Sequence, residues 1–207
     1  MKKFLFLLLL VPALVRGQQN TRTFTIEGKL DKYPDGTAIH LYKNGDNAEI
    51  ANTTLAEGKF TLTGSVEEPV LCFLVIGQEK PAEVYVEPGK ISFKGHKDQP
   101  GKFEISGSET HKDFTNFTDK FVPVAQKING LANTINMTMP GKERDSLMNL
   151  YNAARDQIQS EIDKFVAAKP GSYVTPFVLS VTYGFNEDVM LLEKRYHKLS
   201  AGIKNSA

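Results

Sequence analysis

The chain has 207 residues, of which 41% are hydrophobic and 24% are charged, with a formal net charge of +1. This composition is ordinary for a globular protein and argues against a disordered chain. The 25 basic side chains are balanced by 24 acidic ones, so the clustered excess of lysine and arginine that a nucleic-acid surface needs is missing. We therefore expect no nucleic-acid partner. The length suffices for one large domain or two small ones.

Residues 1–17 have the pattern of a secretory signal peptide. Lys2 and Lys3 precede an apolar run over residues 4–11, and Gly17 is an acceptable small residue at the cleavage point. The run is far shorter than the ~20 apolar residues that span a bilayer, so no membrane-spanning segment is expected. No cysteine follows it, which argues against a lipid-anchored lipoprotein. The sequence predicts export to the periplasm or otherwise to the cell envelope.

From Thr21 to Gly107 apolar and polar residues alternate, as they do in half-buried strands. About eight short runs are joined by turns rich in Pro and Gly, with no helical pattern between them. The most regular two runs flank Glu57-Gly58, and we expect them to form a β-hairpin over 50–66. This half of the chain is predicted to be an antiparallel β-sandwich or an open barrel.

Beyond residue 108 the apolar spacing changes to that of helices. Thr110 and Asp113 predict a capping box at the start of the first helix, and Pro123 is expected to kink or end it. The clearest helix is predicted over 142–168, where an apolar stripe runs along one face.

Two shorter helices are expected over 173–183 and 187–199, followed by a frayed tail over 201–207. In the last helix the residues predicted to face inward are Val189, Leu192, Tyr196 and Leu199. The predicted fold class is therefore α+β, with a helical region of three to four helices over 108–200. We expect this region to pack on or next to the β domain over 18–107.

Cys72 is the only cysteine in the chain, so an internal disulfide is excluded. It lies inside the continuous apolar run Val70–Ile76, which predicts a central strand and a buried, inert thiol. The alternatives are a reactive thiol or an intermolecular bridge, and both require an exposed side chain with a lowered pKa.

The motifs of common enzyme classes are missing from the sequence. The four histidines, His40, His96, His111 and His197, have no partners at the spacing of a zinc site. There is no G-x-S-x-G elbow, no G-x-G-x-x-G and no P-loop. His111 stands near Ser108 and Asp113, but these residues are better explained as a helix start. We predict no catalytic, cofactor-binding or metal-binding residue, and we expect the protein not to be an enzyme.

Two further patterns concern functions of the protein surface. Exposed tyrosines on a sandwich would suit a carbohydrate, and the candidates are Tyr33, Tyr42 and Tyr85. Ordinary strand and turn positions are the simpler interpretation of these three residues. Three triplets match the N-glycosylation pattern, at Asn52, Asn116 and Asn136, and short triplets of this kind arise by chance.

The order of several segments resembles the domain of unknown function 4369. The segments that carry the resemblance are F-T-I-E-G-K-L (Phe24–Leu30), A-I-H-L-Y (Ala38–Tyr42), G-K-F-T-L-T-G (Gly58–Gly64), V-Y-V-E-P-G (Val84–Gly89) and F-E-I-S-G-S (Phe103–Ser108). In Bacteroidetes-type envelope proteins this domain commonly precedes a thioredoxin-like domain of the peroxiredoxin/TlpA kind. Such a domain would begin about where this chain stops, and Cys72 matches no redox motif.

The resemblance implies a setting in envelope thiol–disulfide or stress biology. Our first hypothesis is a non-catalytic, exported interaction module with a protein partner in the envelope, and a homodimer remains open. The alternatives are the truncated amino-terminal part of a thioredoxin-like oxidoreductase and a carbohydrate-binding β-sandwich. Because dithiol exchange requires two thiols, no catalytic residue is carried over from the family.

Overall fold

The computed structural model describes residues 22–206. The predicted signal peptide over 1–17 lies outside this range and therefore remains a prediction. Within the described range, no helix combines the length and the apolar character that crossing a membrane requires.

Eight strands form in the first half of the described chain, where apolar side chains recur at every second position. In β1, for example, Phe24, Ile26 and Leu30 are buried and the polar residues between them lie outside the core. The strands are β1 (Thr23–Asp31), β2 (Ala38–Lys43), β3 (Glu49–Thr54), β4 (Lys59–Ser65), β5 (Val70–Ile76), β6 (Ala82–Val86), β7 (Gly89–His96) and β8 (Phe103–Ser106).

The strands form two four-stranded sheets that face each other across one apolar core. The outer sheet has the order β4-β1-β7-β8, and the middle sheet has the order β3-β2-β5-β6. The inward side chains of both sheets fill the core, among them Phe24, Leu41, Leu74 and Phe93. The predicted α+β class with about eight strands is confirmed, and the sheets form an open sandwich because they do not close into a barrel.

One strand pair differs from the predicted antiparallel arrangement. β1 and β7 run parallel, with Phe24 opposite Gly89 and Asp31 opposite His96, so the outer sheet is mixed. Between β1 and β7 the chain crosses to the middle sheet twice, and β7 then runs in the same direction as β1. Alternation of apolar residues carries no information about strand direction, which is why the sequence could not indicate this pair.

The turn predicted within 50–66 is present, but the two strands that flank it do not pair with each other as a hairpin would. Glu57 and Gly58 have φ angles of 52° and 68°, both positive as a type I′ turn requires. Ala56 and Lys59 exchange two main-chain hydrogen bonds of 2.9 Å across this turn. The strands then separate, because β3 pairs with β2 and β4 pairs with β1. The turn thus carries the chain from the middle sheet to the outer sheet.

The second half of the described chain is helical. The helices are α1 (Glu109–Met137), α2 (Lys142–Ala168), α3 (Val174–Thr182), α4 (Val189–His197) and α5 (Ala201–Lys204), with a 3-10 turn at Tyr183–Phe185. The long helix predicted over 142–168 is confirmed, and α1 and α2 form an antiparallel hairpin. Pro123 does not end the first helix, since α1 continues through it to Met137.

The predicted capping box at the start of α1 is wrong. Ser108 is the N-cap, and its Oγ accepts a hydrogen bond of 2.9 Å from the His111 N–H. Thr110 lies inside the helix, and its hydroxyl donates to Glu87. Ser108 and Thr110 both carry a hydroxyl group that could cap a helix. Ser108 is the N-cap because its backbone is extended, whereas Thr110 is already helical.

The predictions for the end of the chain also need correction. Val189 and Tyr196 of α4 are 63% and 46% exposed, whereas Arg195 is buried and its Nε donates to Asp163 of α2 at 2.9 Å. The tail over 201–207 is not simply frayed, because Ala201–Lys204 forms a helical turn and Ile203 is buried. The ion pair of the buried Arg195 and the apolar anchor both depend on residues distant in sequence.

The helices cover the far side of the middle sheet and create a second apolar core. Leu71 and Tyr85, which are cross-strand neighbours on β5 and β6, pack into this second core together with Phe114 of α1. Cys72 and Val84, one position along, point into the sandwich core instead. The middle sheet is therefore buried on both faces at β5 and β6, as the continuous apolar run of β5 predicted.

Candidate binding groove between the sheets and the first helix

The first turn of α1 is fixed to the β6–β7 turn by a carboxylate. Glu87 accepts a hydrogen bond of 2.7 Å from the Glu109 N–H through Oε1, and one of 2.5 Å from the Thr110 hydroxyl through Oε2. A negative charge at a helix N-terminus also interacts favourably with the helix dipole. Together with the Ser108 cap, Glu87 therefore satisfies N–H groups that the helix itself leaves without partners.

His111, in the same turn, contacts the outer edge of β6. The Tyr85 N–H donates to His111 Nδ1 at 3.4 Å, and Nε2 lies 3.4 Å from the Thr115 hydroxyl oxygen. Since Nδ1 accepts a hydrogen bond here, the ring is in the neutral form with its proton on Nε2. Burial lowers the pKa of His111, which favours the same neutral form.

Asp113 joins the start of α1 to the end of α2. Its Oδ1 lies 2.8 Å from Nζ of Lys169, which is the C-cap residue of α2. The hydrogen bond and the charge of Asp113 raise the pKa of Lys169. The first five residues of α1 thus contact the β6–β7 turn, the β6 edge and the end of α2, and they define the junction between the sandwich and the helices.

Beside this junction lies a groove between the edge strands β6 and β8. Its volume is about 550 Å³, and most of its exposed surface is apolar. We call it the junction groove. Its lining comes from both sheets and from α1: Phe73, Lys80, Pro81, Ala82, Glu83, Gly101, Phe103, Ile105, His111 and Phe114. One lysine, one glutamate and His111 stand among otherwise apolar or small residues, so the groove carries little net charge while His111 is neutral.

The main chain of Glu83 points away from the sheet at this groove. Tyr85, two residues later, directs its N–H away from β5 and towards His111. Leu71, the residue opposite Tyr85, directs its carbonyl the other way, where it accepts a bond of 2.9 Å from the segment after β2. Residues two apart on an antiparallel strand share their orientation, so the N–H and C=O of Glu83 also point outward.

The accessible stretch of the β6 edge is short. On one side His111 and the first turn of α1 occupy the position next to Tyr85. On the other side Pro81 has no N–H to donate, which is how many edge strands are protected from unwanted pairing. Between these two limits, Glu83 offers one N–H and one C=O to a strand that lies in the groove.

Cys72 is buried, as the sequence predicted. It is fully excluded from solvent in the sandwich core, and burial raises the pKa of its thiol to about 12. At neutral pH nearly all of this group is the thiol rather than the nucleophilic thiolate. A reactive thiol and an intermolecular bridge both need access that this position does not give.

The structure does not bring the histidines together. His40 lies 3.4 Å from Glu49 and stacks on Tyr42, and His96 accepts a bond from the Asp98 N–H. His197 is on the exposed face of α4. Across residues 22–206 there is no group of three or more His, Cys, Asp or Glu side chains that could hold a metal ion.

The tyrosines proposed for carbohydrate binding are not an exposed set. Tyr33 is 9% exposed and donates to Glu79 at 2.8 Å, and Tyr85 is 3% exposed beneath α1. Only Tyr42 is half-buried on the surface of the middle sheet. Two of the three rings therefore lack the exposure that the carbohydrate alternative requires, and their burial agrees with the simpler interpretation as ordinary strand and turn residues. The asparagines of the three glycosylation-like triplets, at 52, 116 and 136, are exposed.

Sequence reasoning missed the residues that build the groove. Glu83 is one of several strand glutamates, and its outward main chain follows from edge position and hydrogen-bond phase, which no motif encodes. Glu87 precedes the Pro88-Gly89 turn, and its carboxylate meets α1 only because the chain returns after 22 residues. The sequence did contain one signal, since the segments over 84–89 and 103–108 that carry the family resemblance flank this junction.

The fold and the groove together define an α+β protein in which an open two-sheet sandwich carries a helical layer on one face. Residues 24–114 match the model of the family described as "Domain of unknown function (DUF4369)". The match confirms the resemblance seen in the sequence, and it extends from β1 to Phe114. The family region thus includes both sheets and the turn of α1 that borders the groove. No curated protein matches the chain.

Proposed function

We propose that this protein is an exported, non-catalytic binding module that receives an extended segment of a partner protein in the junction groove. The observation that carries the proposal is the outward main chain of Glu83 on the edge of an apolar groove. An added strand forms main-chain hydrogen bonds to a sheet edge and places alternate side chains into neighbouring pockets. Phe73, Phe103 and Ile105 supply apolar contacts for such side chains.

The remaining parts of the proposal come from the sequence. The signal-peptide pattern over 1–17 supports action outside the cytoplasm. The family resemblance supports partners from envelope thiol–disulfide or stress biology. Because Cys72 is buried and the pKa of its thiol is raised, this residue is not suited to react with such proteins. The proposal is therefore that the protein binds them without exchanging thiols.

The test is a pair of substitutions at Glu83 that separate its side chain from its main chain. Peptides that bind the protein are first selected from a displayed random-sequence library. Glu83→Pro removes the outward N–H, which the sheet itself does not use, and proline is tolerated at such edge positions. Glu83→Ala removes the carboxylate and keeps the N–H, so it is the matched control.

We expect the alanine variant to bind the selected peptides about as well as the original protein. The proline variant should bind at least about tenfold more weakly, which corresponds to the loss of about one hydrogen bond and its geometry. Thermal unfolding of both variants shows whether the sandwich is intact. Equal peptide binding by the proline and alanine variants, or a library that yields no binder, would contradict the proposal.

A further inference from the structure

We propose that His111 is an acid-sensitive latch that sets how much of the β6 edge the junction groove exposes. This inference rests on the proposed function, because it concerns the regulation of the same site. When the ring is neutral, Nδ1 holds the Tyr85 N–H and the first turn of α1 lies against β6. When the ring is protonated, Nδ1 becomes a donor and cannot accept that bond.

The geometry makes the two states incompatible. A proton on Nδ1 would face the Tyr85 N–H across 3.4 Å, which places two donors against each other. His111 lines the junction groove but is only 7% exposed, and its Nδ1 faces the main chain of β6, so Nδ1 gains contact with water only when the first turn moves. Protonation is therefore expected to require a local opening of this turn.

The charged and titratable groups around His111 come from every element that meets at the junction. They are Lys80 before β6, Glu83 and Tyr85 on β6, Glu87 after it, Glu109, Lys112 and Asp113 on α1, and Lys169 at the end of α2. Glu87 is already engaged with the Glu109 N–H and Thr110. Asp113 is engaged with Lys169, so neither carboxylate is placed to hold a protonated His111 in its present position.

Opening should be limited to the first turn of α1. Phe114 packs against Tyr85 and Phe177, with ring centroids 5.4 and 5.7 Å apart, and these contacts carry no charge. With the first turn displaced, the main chain of Tyr85 joins that of Glu83 at the accessible edge. In the open form both Glu83 and Tyr85 could form main-chain hydrogen bonds to an added strand. In the neutral, closed form only Glu83 could do so.

The experiment measures amide hydrogen exchange of the full protein by NMR, without any peptide, between about pH 7.5 and about pH 5. Rates are corrected for the intrinsic pH dependence of exchange. Protection of the Tyr85 amide should fall by up to about tenfold per pH unit below about pH 6.5. The neighbouring Val84 amide, which bonds to β5, serves as the internal reference and should keep its protection.

Two variants complete the test. In His111→Gln the amide oxygen can still accept from Tyr85 but does not titrate, so protection of Tyr85 should not depend on pH. His197→Gln is the control on the exposed face of α4 and should behave like the original protein. A Tyr85 amide whose protection is independent of pH in the original protein would overturn the latch.

The same fall in His111→Gln as in the original protein would also overturn it. Failure of the proposed function is a separate result, because the exchange experiment contains no peptide. Steep pH dependence together with no peptide binding would leave the latch standing and remove the groove's proposed role. Peptide binding that depends on the Glu83 N–H, combined with a flat Tyr85 profile, would remove only the latch.

Discussion

Gly107 connects β8 to α1 in a conformation that other residues rarely adopt. Its φ is 93°, and a Cβ at this position would lie 2.2 Å from the Lys90 carbonyl oxygen. We expect Gly107→Ala to lower the free energy of unfolding by about 3 kcal/mol, because it combines backbone strain with a clash against the main chain. Chemical denaturation measured by circular dichroism provides this value.

Gly130→Ala is the matched control for this glycine. Gly130 lies in the interior of α1, and a Cβ there would meet no atom within 4 Å. This change should raise the free energy of unfolding by about 1 kcal/mol, since alanine is the better helix former. Similar effects of the two substitutions would show that the β8–α1 connection is not held as described.

Cys72 allows a direct test of its burial. At about pH 8 a disulfide reagent such as Ellman's reagent should label the native protein far more slowly than the unfolded protein, because reaction needs an accessible thiolate. Ser65→Cys places a second thiol on an exposed position of β4 and should react rapidly. Rapid labelling of Cys72 in the native protein would reopen a redox role for this chain.

At the level of single residues, the sequence predicted those features that follow from the neighbouring residues along the chain. The apolar run around Cys72 sufficed to predict its burial, and the Glu57-Gly58 pair sufficed to predict a tight turn. In α4 it predicted Leu192 correctly, which packs against the second core, but it did not predict that Arg195 faces inward. Arg195 is buried because Asp163 on another helix neutralises its charge, and that partner is not visible from the spacing of α4 itself.

Among the structural elements, the start of α1 depends on a carboxylate from the sheet. Glu87→Ala removes two hydrogen bonds and a favourable charge at the helix N-terminus, and should lower the free energy of unfolding by about 2 kcal/mol. Glu104→Ala, which removes an exposed partner of Lys94, should cost less than about 0.5 kcal/mol. If denaturation gives equal losses for the two variants, Glu87 does not anchor α1.

The docking of α1 should also make stability depend on pH. The pKa of His111 is lower in the folded protein than its ordinary value of 6.5, so the unfolded chain binds the proton first as the pH falls. The resulting stability is present above about pH 6.5 and is lost at up to about 1.4 kcal/mol per pH unit below it. His111→Gln removes this contribution.

The measurement is the difference in free energy of unfolding between the original protein and His111→Gln at several pH values. This difference isolates His111 from the many carboxylates that also titrate in acid. We expect it to shift against the original protein as the pH falls. A constant difference between about pH 7.5 and about pH 5 would show that His111 is equally solvated in both states.

Strand pairing marks the limit of prediction for the elements. The strands over 50–66 were placed correctly, but alternating residues serve equally well in a hairpin and in a crossing between two sheets. The parallel contact of β1 with β7 joins residues 65 positions apart, such as Phe24 and Gly89. Long-range pairing of this kind depends on how the whole core is filled, so the local pattern could not reveal it.

For the whole molecule, the division into a sheet part and a helical part was predictable because the apolar period changes near Ser108. The groove was not predictable, because it arises where edges of two sheets meet one helix. The groove also lies apart from the exposed apolar side chains of the protein. Within residues 22–206, the exposed large hydrophobic side chains lie after residue 108, on the helices or in the connection between α1 and α2, and they include Met139, Val189 and Met190.

Export concerns the whole molecule and can be tested in cells. With residues 1–17 present, the protein should be recovered from the envelope fraction with an N-terminus near Gln18, because the leader is removed during export. A variant that lacks residues 2–17 should remain in the cytoplasm. Retention of the complete chain in the cytoplasm, with Met1 still attached, would contradict the prediction of export.

The most direct measurement of the groove's role is amide exchange of the full protein with and without a selected peptide. We predict that the peptide slows exchange of the Glu83 amide and leaves the surface of α4 around Val189 and Met190 unchanged. Slowing at α4 with an unchanged Glu83 amide would contradict the account. In that case the exposed apolar side chains of the helices, and not the edge of β6, would form the binding surface.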